Sequence, residues 1–367
     1  MTEYFDIAVI GAGMAGASLA AELAPHARVL VLEAEDRPGY HTTGRSAAFW
    51  DECYGGPQIV PLTAASGSYL REHGFLSPRG GLYLGRDSDA AELDAFVERF
   101  APAGIELHRL RRAEVAALIP GLKPEWTGGV SEPASADIDV AGLHQHYLAL
   151  GKGTGVMLAV RARLAAAERE DGRWRLATDR GDEFSAGVLV DAAGAWADAV
   201  AQLAGAKPIG IVPHLRTVAQ LRTDPAPPAN LPLTLDIRGQ FYFKPESGRL
   251  WLSPHDEIPC DPCDAAPEEL AVAEAIDRFE AVVDWRIEAV ERRWAGLRSF
   301  AADRLPVYGF DPLREGFFWF AGQGGFGIQT APAAARLAAQ TILDLPRDAM
   351  TDRLDASLYA PDRFVAA

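Results

Sequence analysis

The stretch Phe5-Asp6-Ile7-Ala8-Val9-Ile10-Gly11-Ala12-Gly13-Met14-Ala15-Gly16 decides the fold. Phe5 to Ile10 is a short apolar run, as a buried strand requires. Gly11 permits a tight turn after it, Gly13 lets a backbone approach a pyrophosphate, and Gly16 allows close helix–strand packing. Ala15 to Leu23 reads as an Ala-rich helix, with Leu19 and Leu23 on one face. Arg28 to Glu33 is a second strand, ending in a carboxylate seventeen residues past Gly16. A strand–turn–helix–strand unit of this kind builds a parallel sheet. The helix N-terminus offers N–H groups and a positive partial charge to phosphates. Glu33 stands where a carboxylate accepts from ribose hydroxyls, and it disfavours a 2′-phosphate. The turn alone does not separate NAD from FAD.

Working outward, residues 58–73, 88–100 and 140–150 read as helices, and 80–85 and 128–132 as strands. Met157–Ala167, Trp174–Thr178 and Glu183–Val190 read as hairpin strands around Asp171-Gly172 and Arg180-Gly181. Residues 211–223, 233–237, 239–244 and 249–253 alternate apolar and polar, the period of a sheet with one buried face. Ala266–Val283 is a later helix, Phe317–Phe320 a strand, and Gly327–Leu343 begins as a loop and becomes a long Ala-rich helix. Strand–helix units therefore hold both ends of the chain and antiparallel patterns fill its middle. The expected class is α/β: a Rossmann-like dinucleotide-binding domain interleaved with a β-rich (α+β) substrate-binding domain. The first takes residues 1–48, 140–205 and 296–345; the second takes 49–139 and 206–295.

The 367 residues exceed one ordinary small core, which agrees with two domains. Lys and Arg total 35 against 51 Asp and Glu, a net charge of −16 that repels nucleic acid and anionic membranes. No run of about 18 apolar residues is present, so no spanning helix is expected. Met1 to Asp6 lacks a basic leader region, and the three cysteines, Cys53, Cys260 and Cys263, are too few for a disulfide scaffold. A cytoplasmic protein is expected. Cys260-Asp261-Pro262-Cys263 has no second Cys pair for a zinc site. It reads as a loop in an acidic, Pro-rich stretch, or as a lid over an active site. No metal is expected.

Three segments point to FAD rather than NAD. Thr42-Thr43-Gly44-Arg45-Ser46-Ala47-Ala48, following Gly39-Tyr40-His41, combines hydroxyls, small residues and one Arg. Val188-Leu189-Val190-Asp191-Ala192-Ala193-Gly194-Ala195-Trp196 is a strand breaking into small residues. Gly324-Gly325-Phe326-Gly327-Ile328-Gln329-Thr330 is a Gly-rich loop between a strand and a helix, suited to negative charge on a reduced flavin.

With WAGLRSF at 294–300, these segments resemble the D-amino-acid oxidase superfamily of flavoproteins, nearest its bacterial D-arginine dehydrogenases. The resemblance covers nearly the whole chain. It implies FAD contacts at Gly11, Gly13, Met14, Ala15, Gly16, Glu33, Ala34, the Thr42–Ala48 loop, Ala162, Ala193, Gly194, Trp196 and the Gly324–Thr330 loop. It also implies non-covalent flavin, because Phe49 stands where the relatives have His and no Cys lies in the third segment.

The resemblance further implies Arg216 and Arg298 as carboxylate anchors, with Tyr242 and Tyr54 beside them. A planar guanidinium suits that task through paired hydrogen bonds. Gly81 replaces the glutamate that receives a substrate guanidinium in the relatives. Phe49 and Trp50 replace a pocket His and Tyr, and Asp51 is new beside them. A pocket that loses a carboxylate and gains aromatics leaves a cationic side chain unpaired. The expected reaction is therefore oxidation of a neutral, apolar or aromatic D-amino acid to the imino acid, then hydrolysis to the 2-oxo acid and ammonia. Sarcosine, glycine, another secondary amine or a 2-hydroxy acid fits the same anchors. The sequence leaves open the electron acceptor, a quinone or O2, and the oligomeric state. An NAD-dependent enzyme would be colourless when purified.

Overall fold

The computed structural model describes residues 3–364. Its first sheet has a parallel centre. Met157–Ala159, Val29–Leu32, Glu3–Ile10, Glu183–Asp191 and Phe317–Ala321 lie side by side in that order. Antiparallel strands Arg173–Thr178 and Leu164–Glu170 continue from Glu183–Asp191, and Val307–Phe310 pairs with Phe317–Ala321. Both faces are covered, which is why Phe5 to Ile10 is apolar almost throughout. Ile7 and Val9 pack with the Ala-rich helix Ala331–Ile342, whereas Ala8 and Ile10 pack with Trp174, Val200 and Trp319. Helix Met14–Leu23 follows the glycine turn directly.

The second sheet runs Ile258–Pro259, Val212–Asp224, Arg249–Ser253, Tyr242–Glu246, Leu233–Asp236, Gly81–Arg86, Trp126–Glu132 and His108–Arg111. The long strand Arg286–Phe300 pairs with Val212–Asp224 along its length. Alternation separates the two faces. Leu82, Leu84, Ala219, Leu221 and Phe243 pack beneath helix Glu269–Glu280 with Phe279 and Trp285. Tyr83, Val218, Leu235 and Tyr242 face the other way, toward Phe49 and Cys53. A small sheet of Phe49–Trp50, Ala136–Ile138 and Leu76–Pro78 completes the fold.

The α/β class with an interleaved β-rich part is thus the observed architecture. Three local expectations shift. Met157–Ala167 is two strands, because Arg161 adopts φ 55° and Ala162 N–H turns back to the Glu33 carbonyl. The acidic helix is shorter than Ala266–Val283, spanning Glu269–Glu280, whereas the last helix starts at Ala331 after the glycine loop, as expected. The boundary drawn at residue 296 falls inside Arg286–Phe300, every residue of which belongs to a strand of the second sheet. The strand continues through Arg298 because its partner Val212–Asp224 remains beside it to Val212. Among the described residues, no helix is long and apolar enough to cross a membrane.

Candidate active site

The glycine turn is closed to side chains where it must be. Gly11 has φ 100°, and a Cβ there would stand 2.6 Å from the Ala192 carbonyl oxygen. A Cβ on Gly16 would stand 1.9 Å from the Gly11 carbonyl oxygen, so Gly16 serves packing and does not line the cleft. Gly13 begins the helix with no side-chain cap. Thr43 Oγ1 accepts from Met14 N–H at 2.9 Å, which ties the Thr42–Ala48 loop to the helix start. The Glu33 carboxylate accepts from Ala12 N–H at 2.8 Å and Glu35 N–H at 2.9 Å. His144 Nε2 lies 2.9 Å from the Ala12 carbonyl; a carbonyl only accepts, so this nitrogen carries the proton.

These groups border one long cleft. Its wall includes Gly11, Gly13, Met14 and Ala15; Glu33 and Ala34; Thr42, Thr43 and Ser46; Ala162; Ala193, Gly194 and Trp196; and Gly324, Gly325, Gly327 and Ile328. A helix N-terminus, a carboxylate at the end of the second strand and small residues elsewhere fit a dinucleotide. Gly11, Gly13, Met14 and Ala15 would face its pyrophosphate, Glu33 a ribose, and Gly324, Gly325, Gly327 and Ile328 its redox ring.

Other expected contacts point elsewhere. Arg45 bonds the Asp264 carboxylate and donates to the Ala265 carbonyl at 2.7 Å. A Cβ on Gly44 would meet the Gly39 carbonyl at 2.7 Å, and Ala47 and Ala48 pack in apolar clusters. Phe326 packs on Ile59 and Phe300. Gln329 is buried and donates to Thr63 Oγ1 at 2.9 Å, and Thr330 bonds the Phe326 carbonyl. These residues shape the loops from behind. Tyr40, His41, Leu297 and Gln323, which lie within or beside the quoted segments but were assigned no contact, also line the cleft. His41 packs against Trp196 at 4.6 Å and pairs with Glu35 at 3.0 Å. Its position between Glu33 and Thr42 was the available signal.

Arg216 and Arg298 come together through strand register. Arg216 lies opposite Gly296, and His214 opposite Arg298. Directly opposed residues share a face, so the two guanidinium groups rise from the same face as diagonal neighbours. Arg298 lines the cleft and donates to Tyr54 Oη at 2.5 Å. A Cβ on Gly325 would stand 2.1 Å from that hydroxyl and 2.9 Å from Arg298 Nη1. Arg216 is 4% exposed. Its Nη2 donates to Glu257 at 3.1 Å, while Nε and Nη1 have no partner among the described residues. Burial, then the like charge of Arg298, lowers Arg216 to about 10, so it stays charged at neutral pH.

The Tyr242 ring packs edge-on against Phe49 at 5.8 Å, and Phe49 against Tyr54 at 5.4 Å. Trp50 is the correction. In the two-residue strand Phe49–Trp50 successive side chains alternate, so Trp50 turns away. It is fully buried with Met14, Leu70 and Tyr147, beneath the Arg71 guanidinium.

Asp51 is also fully buried and accepts from Tyr83 Oη at 2.8 Å and Cys53 N–H at 2.9 Å. Beside it lies Glu132, which no sequence signal singled out. Glu132 is the cross-strand partner of Gly81, and Ser135 Oγ lies 2.6 Å from where a Gly81 Cβ would be. The carboxylate missing at Gly81 thus has a buried neighbour on the next strand. Burial raises both carboxyls, Glu132 further because Asp51 adds like charge, so the pair favours holding a proton. Burial and the two carboxyls also push the Cys53 thiol up, away from the thiolate a metal would need.

Cys260 and Cys263 lie on a segment that skirts the cleft. Asp264 accepts from Tyr40 Oη at 3.1 Å, and Cys260 N–H donates to the Pro213 carbonyl at 3.0 Å.

The family model "FAD dependent oxidoreductase" (DAO) matches residues 6–341. The chain is 25% identical to L-2-hydroxyglutarate dehydrogenase of Escherichia coli K12 over 219 residues, 56% of this chain and 51% of that protein. The chain spans 38% and 82% of the length of the first two curated relatives it matches. Glycine oxidase from Geobacillus kaustophilus superposes with a TM-score of 0.85 at 22% identity, covering 99% of each chain. L-Proline dehydrogenase from P. horikoshii gives 0.86 at 22% identity, covering 100% of this chain and 99% of that one. These two structures share the fold.

Proposed function

The chain belongs to the FAD-dependent oxidoreductase (DAO) family, and on that premise we propose that it oxidises the Cα–N bond of a neutral, apolar or aromatic D-amino acid. FAD is its cofactor, and when bound it takes up the hydride from Cα. The observation that carries the substrate reading is Arg216, a buried guanidinium with two unpartnered nitrogens beside Arg298. Buried guanidinium N–H groups left without acceptors are costly, even when the third nitrogen is paired with Glu257. A carboxylate bridging Arg216 and Arg298 restores its hydrogen bonds and fixes the substrate by one end.

Holding that end sets the direction of Cα–H, and Tyr54 and Tyr242 confine the carboxylate. The Phe49, Tyr54 and Tyr242 rings leave an apolar surround for the side chain. Asp51 does not make the pocket cationic-selective in this reading, because its oxygens are engaged by Tyr83 and Cys53 and burial favours its protonated form. The substrate amine enters neutral and, having lost a hydride, leaves as the protonated imine, which water converts to the 2-oxo acid and ammonium outside the site. The D configuration rests on the resemblance of the Thr42–Ala48 and Trp294–Phe300 segments.

A 2-hydroxy acid or a secondary amine satisfies the same two arginines. The relatives that oxidise 2-hydroxyglutarate and proline, by their names, make both worth testing. The deciding experiment is anaerobic bleaching of the flavin band near about 450 nm. Rapid bleaching by apolar D-amino acids, and not by L-amino acids, sarcosine or 2-hydroxy acids, is the expected result. Bleaching by another class alone would replace the substrate and keep the anchors.

A further inference from the structure

The segment from Asp256 to Cys260 runs along strand Val212–Asp224 and is tied to it at several points. Asp256 accepts from Thr217 N–H and Oγ1, both at 2.7 Å. Ile258 lies opposite Leu215, and Pro259 opposite His214. The same register puts Glu257 opposite Arg216, and its carboxylate accepts from Arg216 Nη2 at 3.1 Å. On its outer side Arg304 Nη2 approaches both Glu257 oxygens, at 3.0 and 2.8 Å. Glu257 is therefore fixed by its neighbours on three sides. Its side chain reaches the surface but is held between the two arginines.

We propose that Glu257 is a specificity-determining residue that sets the charge of the substrate site and so selects substrates with a single carboxylate. The proposal rests on the reading of Arg216 and Arg298 as the carboxylate anchor. The charges around that anchor are Arg216, Arg298 and Arg304, positive, and Asp256 and Glu257, negative. Asp256 Oδ1 lies 3.9 Å from Arg216 Nε. Three positive and two negative groups leave one positive charge, which one carboxylate neutralises. A second carboxylate would enter a site with no charge left to meet it, next to the fixed Glu257. Replacing Glu257 by a neutral isostere leaves a net charge of two, which suits a dicarboxylate. Without Glu257, the two arginines alone would favour two-carboxylate substrates.

The test is to titrate the oxidised holoenzyme at fixed ionic strength with propionate and with succinate, reading the shift of the flavin absorbance. Fixed salt matters because Arg304 is half exposed and screened. In the native protein propionate binds the more tightly. In Glu257→Gln the affinity for succinate relative to propionate rises severalfold, because the carboxylate is part-exposed and screened while the Arg216 guanidinium it faces is buried. Glu257→Asp keeps the charge and stays close to the native ratio. Should Glu257→Gln not fold, the exposed change Arg304→Gln gives the opposite sign: propionate weakens severalfold and succinate weakens further. A ratio unmoved by Glu257→Gln, or by Arg304→Gln, overturns the role of Glu257 while leaving the anchor intact. Failure of propionate to perturb any of these proteins overturns the anchor and this proposal together.

Discussion

Arg216 and Arg298 are diagonal neighbours across one antiparallel strand pair, although 82 positions separate them in the sequence. The pair is set by the register that opposes Arg216 to Gly296, and each guanidinium keeps a different companion, Glu257 and Tyr54. Replacing either by Lys keeps the charge and loses the planar fork. We expect kcat/KM for the substrate to fall about 100-fold or more in Arg216→Lys and in Arg298→Lys, equivalent to about 3 kcal/mol. FAD content, read from the ratio of absorbance at the flavin band to protein absorbance, should stay native in Arg216→Lys. A loss confined to flavin content would place that residue in cofactor binding instead.

Gly325 is tied to the same pair. Its hypothetical Cβ lies 2.1 Å from Tyr54 Oη, a distance no side chain tolerates. Gly325→Ala should push Tyr54 and Arg298 out of line and raise KM about tenfold or more, with a smaller change in Tm. Steady-state kinetics beside a thermal melt separate the two effects.

Glu33 accepts from two backbone N–H groups at the head of the turn and borders the cleft. Glu33→Ala removes the expected ribose acceptor and frees Ala12 N–H. Purified protein should retain less FAD and lose it on dialysis, with Kd for FAD raised about tenfold or more. Unchanged flavin retention would move the ribose contact elsewhere.

Phe49 and Trp50 should respond oppositely. Trp50→Ala removes a fully buried side chain and should cost about 3–5 kcal/mol of stability while leaving relative rates across substrates unchanged. Phe49→Ala should alter the ranking of substrates by side-chain size. A change of ranking in the Trp50 variant would bring that side chain back to the pocket.

The Asp51–Glu132 pair predicts a pH dependence of stability. Both carboxyls are raised above their ordinary values, 3.8 and 4.5, by burial. The folded protein therefore holds a proton that the unfolded chain releases as pH climbs past the ordinary range. Stability from this pair is fullest below that range and falls as pH rises toward the raised folded values. Glu132→Gln cannot release the proton. Urea unfolding from pH 5 to 8 should show the native protein losing stability relative to Glu132→Gln. Parallel curves would mean the pair is ionised in both states.

Much of the fold is legible in the sequence because its signals are local. Phe5 to Glu33 carries strand, turn, helix and strand within one short unit, with Gly11 at φ 100° and Gly16 against the Gly11 carbonyl as local steric requirements. The alternation in Val212–Asp224 and Arg249–Ser253 likewise announces a sheet with two unlike faces. Trp50 shows the limit: pocket and core faces differ by one residue in a strand, and motif matching cannot see which side turns inward. Glu132, Glu257 and His144 show the other limit. Each acts through a partner far along the chain, and nothing in its own neighbourhood marks it. The sequence by itself determined the nucleotide turn, the family resemblance and the alternating sheet, because sterics and periodicity act between near neighbours. Only the tertiary structure decided that Arg216 meets Glu257 and Arg298, and that Asp51 meets Glu132, because strand register and burial arise when distant segments pair.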